Sequence, residues 1–278
     1  MFNYRYSLLL TQQTRGPRLH MKRLNAPSHW MLNKMGGVYA PRPSQGPHGI
    51  NECLPLTLVV RNRLHLARDM REAGMVIRNK HIIVDGKART DEGFPTGFMD
   101  VLTVPKMNKN YRVMYDTKGR FQLVPITQAE TEYKLMKINA ITTGEKGIFY
   151  GHTHDGHNLR FLDVSIMTGD TVKYNIKTGQ VMEVAKFEQN CLATVTGGKN
   201  CGRTGKIVEI NHYDGSHTMV QLVDSQGHKF ITRQSNVFVL GKEKPLVTLP
   251  KHQGIKVSIE KNRELRIQSL EKCSKHKE

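Results

Sequence analysis

Apolar positions change their spacing several times along the chain, and the first change marks out a compact unit over residues 54–104. Pro55 suits a first helical turn, and Leu56, Val60, Leu64 and Ala67 follow at intervals of four, four and three, which predicts a helix with one apolar face. Thr57, Arg61, His65 and Arg68 share another face of that helix. Asp69 with Glu72 three positions on predicts a capped second helix, buried along Met70, Ala73 and Ile77 and carrying Arg71 and Arg78 two turns apart. Gly74 within it suggests a close helix contact. Residues 81–84, then Asp85-Gly86, then residues 87–90 predict a tight hairpin, because Asp-Gly takes the backbone angles that a two-residue turn demands.

Beyond this unit the period is mainly that of strands. Residues 111–115 and 121–124 flank a turn at 116–119, Thr127 with Glu130 suggests a short capped helix, and residues 171–176 and 181–184 alternate around a second turn. Residues 192–196, a glycine-rich loop at 197–205 and residues 206–210 read as strand, loop and strand. With further short strands at 219–223, 230–233 and 237–240 they suit a small barrel. Residues 251–278 are charged and predict a helix or a loose tail. Residues 1–51 are different: Gly-Pro steps and single prolines break them into pieces, and only 29–35 looks helical. Trp30 lies in this segment, either as a core anchor or as a base-stacking residue, with the anchor favoured.

Charge adds a partner to the picture. The 278 residues carry 42 Lys plus Arg against 24 Asp plus Glu, a formal net charge of +18. A polyanion is the default inference, and charge by itself does not choose among RNA, DNA and an anionic membrane surface. No apolar run approaches the roughly 20 residues that a membrane-spanning helix needs. Residues 1–51 hold Arg5, Arg15, Arg18, Lys22, Arg23, Lys34 and Arg42 and no acid, so they predict an extended arm that a partner orders; a transit peptide or signal-peptide stub fits less well. Between Arg61 and Arg78 stand five arginines, joined by Lys80, Lys87 and Arg89, against Asp69, Glu72 and Asp85. That local excess suits phosphate better than self-pairing. Cys53, Cys191, Cys201 and Cys273 show no close paired spacing, which argues against a usual zinc site or a disulfide framework and for a reducing compartment.

Candidate chemistry is sparse. The loop at 198–206 fails as a nucleotide-binding phosphate loop, since Asn200 stands where a glycine is required and Ile207 follows Lys206. A turn displaying Lys199, Arg203 and Lys206 to phosphate and a purely structural turn both stay open. His152, His154, Asp155 and His157 are the one cluster with the look of metal or acid–base chemistry, but no Cys or Glu completes a tetrahedral set, and a polar turn is the favoured reading. No nucleophile stands with a base at motif spacing, so no catalytic residue, metal ligand or cofactor is assigned.

Several blocks, in order, resemble the fourth small-subunit ribosomal protein of eukaryotes and archaea, the S4e family. They include Arg15-Gly16-Pro17, residues 22–32 from Lys22 to Leu32, Tyr39-Ala40-Pro41-Arg42-Pro43-Ser44, Cys53-Leu54-Pro55-Leu56 with Arg61-Asn62-Arg63-Leu64, and Val84-Asp85-Gly86-Lys87 with Arg89-Thr90-Asp91. Gly97-Phe98-Met99-Asp100-Val101, residues 115–121 and Val195-Thr196-Gly197-Gly198 with Gly202-Arg203 continue the series to about Arg266. The resemblance implies a non-enzymatic constituent of the small ribosomal subunit that binds its ribosomal RNA beside neighbouring ribosomal proteins, with no membrane and no small-molecule substrate. It implies cytoplasmic ribosomes, with assembly in the nucleus or nucleolus if the source is eukaryotic. The rival reading is an RNA-modifying or RNA-processing factor built from the same modules. The expected architecture is α+β and multi-domain: an extension without family match at 1–14, a basic arm at 15–51, a helix-pair-plus-hairpin RNA-binding module at 52–105, a central β domain at 106–188, a KOW-type barrel at 189–245 and a charged tail at 246–278. RNA contacts are expected from Arg61, Arg63, Arg68, Arg71, Arg78, Lys80, Lys87 and Arg89 in the module. Lys22, Arg23 and Arg42 are expected to contribute from the arm, and Lys199, Arg203 and Lys206 from the loop.

Overall fold

The computed structural model describes residues 20–250 and 253–275; the expected extension at 1–14 and the cations Arg5, Arg15 and Arg18 lie outside them. The fold mixes α and β, with many strands and few helices. Residues 20–51 are more folded than a free arm. β1 (Met21–Lys22) pairs antiparallel with β2 (Tyr39–Ala40). Only a single turn forms at Ser28–Trp30, because Met31 takes φ 56° and ends it. Trp30 is 1% exposed and its Nε1 donates to the Cys53 carbonyl oxygen at 2.7 Å, so the arm is pinned to the unit that follows.

That unit opens with β3 (Cys53–Pro55) and a short helix, α1 (Leu56–Leu58), which widens at once into a π-helical turn over Val59–Arg63. Leu56 and Val60 are buried as the periodicity requires. The long helix expected through Ala67 does not form, however. Leu64 N bonds Val59 O at 2.9 Å, Leu66 N bonds Val60 O at 3.0 Å, and His65 turns to φ 53°. Leu64 and Leu66 follow the core and not the helix axis, which is tertiary packing overriding local periodicity. Thr57 is buried, so it does not share a solvent face with Arg61.

The second helix, α2 (Met70–Arg78), stands where expected, with Ala73, Gly74 and Ile77 buried and Met70 exposed instead of buried. Asp69 occupies the cap position without a side-chain cap bond, and the Glu72 carboxylate accepts from Arg68 N at 2.8 Å. Gly74 faces the Glu92 side chain, not a helix: a Cβ there would sit 2.5 Å from Glu92 Oε1. β4 (Ile83–Val84) and β5 (Lys87–Ala88) form the hairpin, with Asp85 at φ 49° and Gly86 at φ 74°. β6 (Pro95–Gly97) pairs with β3.

With β7 (Val101–Val104), β8 (Lys109–Tyr115) and β9 (Phe121–Pro125) the hairpin builds a five-stranded sheet in the order β5-β4-β7-β8-β9. This sheet runs straight across residues 105 and 106, where a boundary is expected from sequence. Ala129–Glu132 is a 3-10 turn lacking a Thr127 cap. β10 (Tyr133–Thr143), β11 (Phe149–Thr153), β12 (Asn158–Arg160), β13 (Thr171–Asn175) and β14 (Val181–Ala185) form a second sheet, ordered β12-β11-β10-β13-β14. β15 (Leu192–Val195), β16 (Thr204–Asn211), β17 (Met219–Val223), β18 (Lys229–Arg233) and β19 (Val237–Gly241) form a third, ordered β18-β17-β16-β15-β19. A single helix, α3 (Ile259–Lys275), closes the described chain.

Three devices hold the sheets in register with one another. Phe98, Met99, Met114 and Val124 of the first sheet region share a core with Leu135 of β10 and Phe238 and Leu240 of β19. Gly202 has φ 78°, and a Cβ there would lie 2.0 Å from the Asp116 carbonyl oxygen, so the glycine-rich loop seats directly on the 116–119 turn. The third device is electrostatic. Lys134 Nζ, 2% exposed, lies 2.9 Å from Asp85, 2.6 Å from Asp100 and 2.8 Å from Asp155, and His48 Nε2 contacts Asp100 at 3.1 Å. Burial opposes the Lys134 charge, but Asp100, Asp85 and Asp155 outweigh it and hold the ammonium well above its ordinary pKa. Burial likewise opposes ionisation of Asp100, and Lys134 with His48 overcomes it, holding that carboxyl below the usual range. At Asp85 burial wins and raises the pKa despite Lys134. This hub ties the arm, the hairpin, the first sheet and the second sheet together.

Candidate nucleic-acid interface

The π-helical turn and the reversal at His65 bring residues seven apart in sequence onto one rim. Arg61, Asn62, Arg63, His65, Ala67 and Arg68, with Trp30 and Met31 of the arm, line an open groove of about 510 Å³. Arg61 Nε donates to Asn62 Oδ1 at 3.0 Å. Arg68 is exposed. Arg63 reaches Met31 Sδ with Nη2 at 3.7 Å, and burial together with the nearby Arg120 pushes its pKa down. Three expected cations therefore line one concavity together with Trp30 and Met31. Arginine forks around a groove, here the exposed Arg68 with the part-buried Arg61 and Arg63, suit the bidentate geometry of phosphate.

The remaining expected cations do not line that groove. Arg71, Lys80 and Lys87 are exposed on the same unit. Arg78 is exposed too, but its Nη2 pairs with Glu92 at 2.6 Å. Arg89 stacks 4.4 Å over the Phe94 ring. In the arm Lys22 is exposed, Arg23 and Arg42 are half-buried, and Arg23 Nε donates to the Asn33 carbonyl oxygen. Lys199 and Lys206 are exposed on the third sheet. Arg203 departs from its expected display. It is 9% exposed, with its guanidinium 3.8 Å over the Phe230 ring and 3.5 Å from Asp224, so it braces the third sheet from within.

A second groove, of about 520 Å³, lies between the 116–120 turn and the start of α3. Lys118, Arg120, Lys256 and Arg263 line it. Sequence reading passes over these cations because their neighbours in space lie more than a hundred positions away in the chain. Asp116-Thr117-Lys118-Gly119-Arg120 is the one local signal that points there.

The histidine cluster resolves into structure. His157 Nδ1 lies 3.1 Å from Asp155, an interaction that raises the histidine pKa, and the same Asp155 completes the Lys134 hub. Burial pushes His154 down to about 4, and its Nε2 contacts the Phe98 carbonyl oxygen at 3.3 Å. Among the described residues no three His, Cys, Asp or Glu side chains are placed to hold a metal ion, and no helix is long and apolar enough to cross a membrane.

Comparison with known proteins accords with this cationic surface. Residues 107–181 match Ribosomal family S4e, residues 15–51 match the RS4NT (NUC023) domain, and residues 224–269 match the 40S ribosomal protein S4 C-terminus. The small ribosomal subunit protein eS4 of Bombyx mori is 47% identical over 254 residues, which span 91% of this chain and 97% of that one. The protein of the same name from Lysiphlebus testaceipes is 46% identical over the same shares. The crystal structure of the 30S ribosomal protein S4e from Thermoplasma acidophilum aligns with a TM-score of 0.60 at 28% identity, over 69% of this chain and 96% of that chain. With near-half identity across nine-tenths of its length, the chain belongs to the ribosomal S4e family.

Proposed function

We propose that this chain is a structural constituent of the small ribosomal subunit, not an enzyme, and that it holds ribosomal RNA by its phosphates beside neighbouring ribosomal proteins in the cytoplasm. The observation that carries the reading is the convergence of Arg61, Arg63 and Arg68 on one open groove. Closely spaced phosphates release condensed counterions when such cations meet them, which gives affinity with little base selection. Arg71, Arg78, Lys80, Lys87 and Arg89 extend the grip over the same unit. Lys22, Arg23 and Arg42 add to it from the arm, and Lys199 and Lys206 from the third sheet; Arg203 is assigned to the interior.

In this reading residues 52–105 act as a helix-pair-plus-hairpin RNA-binding module. The third sheet, at 189–245, acts as a KOW-type small barrel whose glycine-rich loop sits on the 116–119 turn. Residues 106–188 supply the central β domain, 15–51 the arm and 246–278 the tail. Sedimentation of the tagged chain through sucrose gradients tests the proposal. It is expected to travel with small subunits at low salt and to remain with them at high salt. Migration with polymerase or as free protein, or turnover of a purified rRNA substrate, would contradict it.

A further inference from the structure

Arg120, which lines the second groove, reaches Met31 of the first, and there two guanidinium groups converge on one thioether. Arg63 Nη2 lies 3.7 Å and Arg120 Nη1 3.5 Å from Met31 Sδ. A thioether sulfur is a weak acceptor and neutralises nothing, and the Arg120 charge bears unfavourably on Arg63. Asp116 takes Arg120 Nη2 at 3.2 Å but leaves Nη1 turned toward Met31. Among the described residues Arg63 has no carboxylate partner, and its Nε is buried without a hydrogen bond. Arginine does not shed its proton to relieve such crowding. The fold therefore maintains a repulsion that an anion would remove.

We propose that Arg63 and Arg120 form one clamp that closes on a single RNA phosphate seated over Met31. The inference rests on the RNA-binding reading above and adds Arg120, a residue from the first sheet, to the module's own cations. The two non-bridging oxygens of a phosphodiester diverge, so each can accept from a different guanidinium fork. A polymer of phosphates also fits the surroundings better than an isolated acid. Arg61 and Arg68 continue the cationic surface on one side of the clamp, and Lys118, Lys256 and Arg263 continue it on the other. The strand held by the module is thereby led across the 116–120 turn toward α3.

Binding of the full chain to protein-free small-subunit rRNA, measured over a series of KCl concentrations, tests the clamp. The double variant R63Q/R120Q is expected to reduce the slope of log affinity against log salt by about 0.7 to 0.9, the value of one phosphate contact, and R63Q and R120Q singly to reduce it by less, because the remaining guanidinium still meets the phosphate. Each is also expected to weaken binding roughly tenfold. Because both arginines serve one phosphate, the slope lost by the double variant is expected to stop at that of one phosphate contact. R63K and R120K should keep the slope while losing affinity, since lysine keeps the charge without the fork; unchanged urea midpoints guard against misfolding. A double variant that loses the slope of two phosphate contacts, about 1.4 to 1.8, would overturn the clamp in favour of two separate contacts. Single variants that bind rRNA like the wild type would overturn it too, and if they still incorporate poorly into subunits, an acidic protein segment occupies the pair. Failure of the wild-type chain itself to bind rRNA would instead overturn the underlying RNA-binding reading.

Discussion

Replacing Lys134 with methionine is expected to lower folding stability by about 3–5 kcal/mol, the cost of breaking a buried ion network by removing one partner. The substitution keeps the length and most of the volume of the side chain but leaves Asp85, Asp100 and Asp155 facing one another without their cation. The pH dependence has a definite sign. In the wild type Asp100 and Asp155 are held below the usual carboxylate range, so their contribution is present above about pH 4, the ordinary value for an unfolded aspartate, and fades as pH falls through their folded values. Asp85, raised by burial, contributes in the opposite sense. Without Lys134 burial would raise all three carboxyls. They would then take up protons on folding, and the deficit of K134M should shrink as pH is lowered from 7 to 5. Urea unfolding at both pH values checks this. A loss under about 1 kcal/mol, or a deficit independent of pH, would mean that the hub does not carry the junction between the first two sheets.

Combined substitution of Arg61, Arg68 and Arg71 by glutamate is expected to weaken binding to small-subunit rRNA by about a thousandfold, if each removes one charge-assisted contact of about 1.5 kcal/mol. The salt slope should fall by about 2 to 3 at the same time. Arg68 and Arg71 are exposed and Arg61 is half-exposed, so the folded state has little to lose, and the unfolding free energy from urea titration should stay within about 0.5 kcal/mol of the wild type. Weakened binding with an intact fold would assign the loss to the surface. A variant that binds as the wild type does would remove the module from the interface.

What could be read from the chain depended on how local its cause was. Asp85-Gly86 specifies its turn within two residues, and strands such as Lys109–Tyr115, Phe121–Pro125, Thr171–Asn175 and those of the third sheet declare themselves in windows of five or so, so these were legible. Val101–Val104, Tyr133–Thr143, Phe149–Thr153 and Asn158–Arg160 were not legible as strands. The first helix was not, because Leu64 and Leu66 leave the helical path to reach a core built from residues as distant as Trp30 and Phe121. Arg203 looked like a loop cation; only the fold brings Phe230 and Asp224 against it. Lys134 sits in an ordinary strand, and the three carboxylates that define its role come from three separate segments. The groove cations were legible as a group, since Arg61, Arg63 and Arg68 lie close in sequence. The partnership of Arg63 with Arg120 was hidden, because Met31, which joins them, precedes Arg120 by 89 positions.

The central claim is that the surface formed by the arm and the opening module faces ribosomal RNA. Ultraviolet cross-linking of assembled small subunits, followed by mapping of the peptides joined to RNA, tests it most directly. The expected cross-linked peptides contain Trp30–Met31, the 61–68 segment and the 116–120 turn. Cross-links confined to the exposed loop around Phe161 and Val164, with the groove joined only to protein, would contradict it.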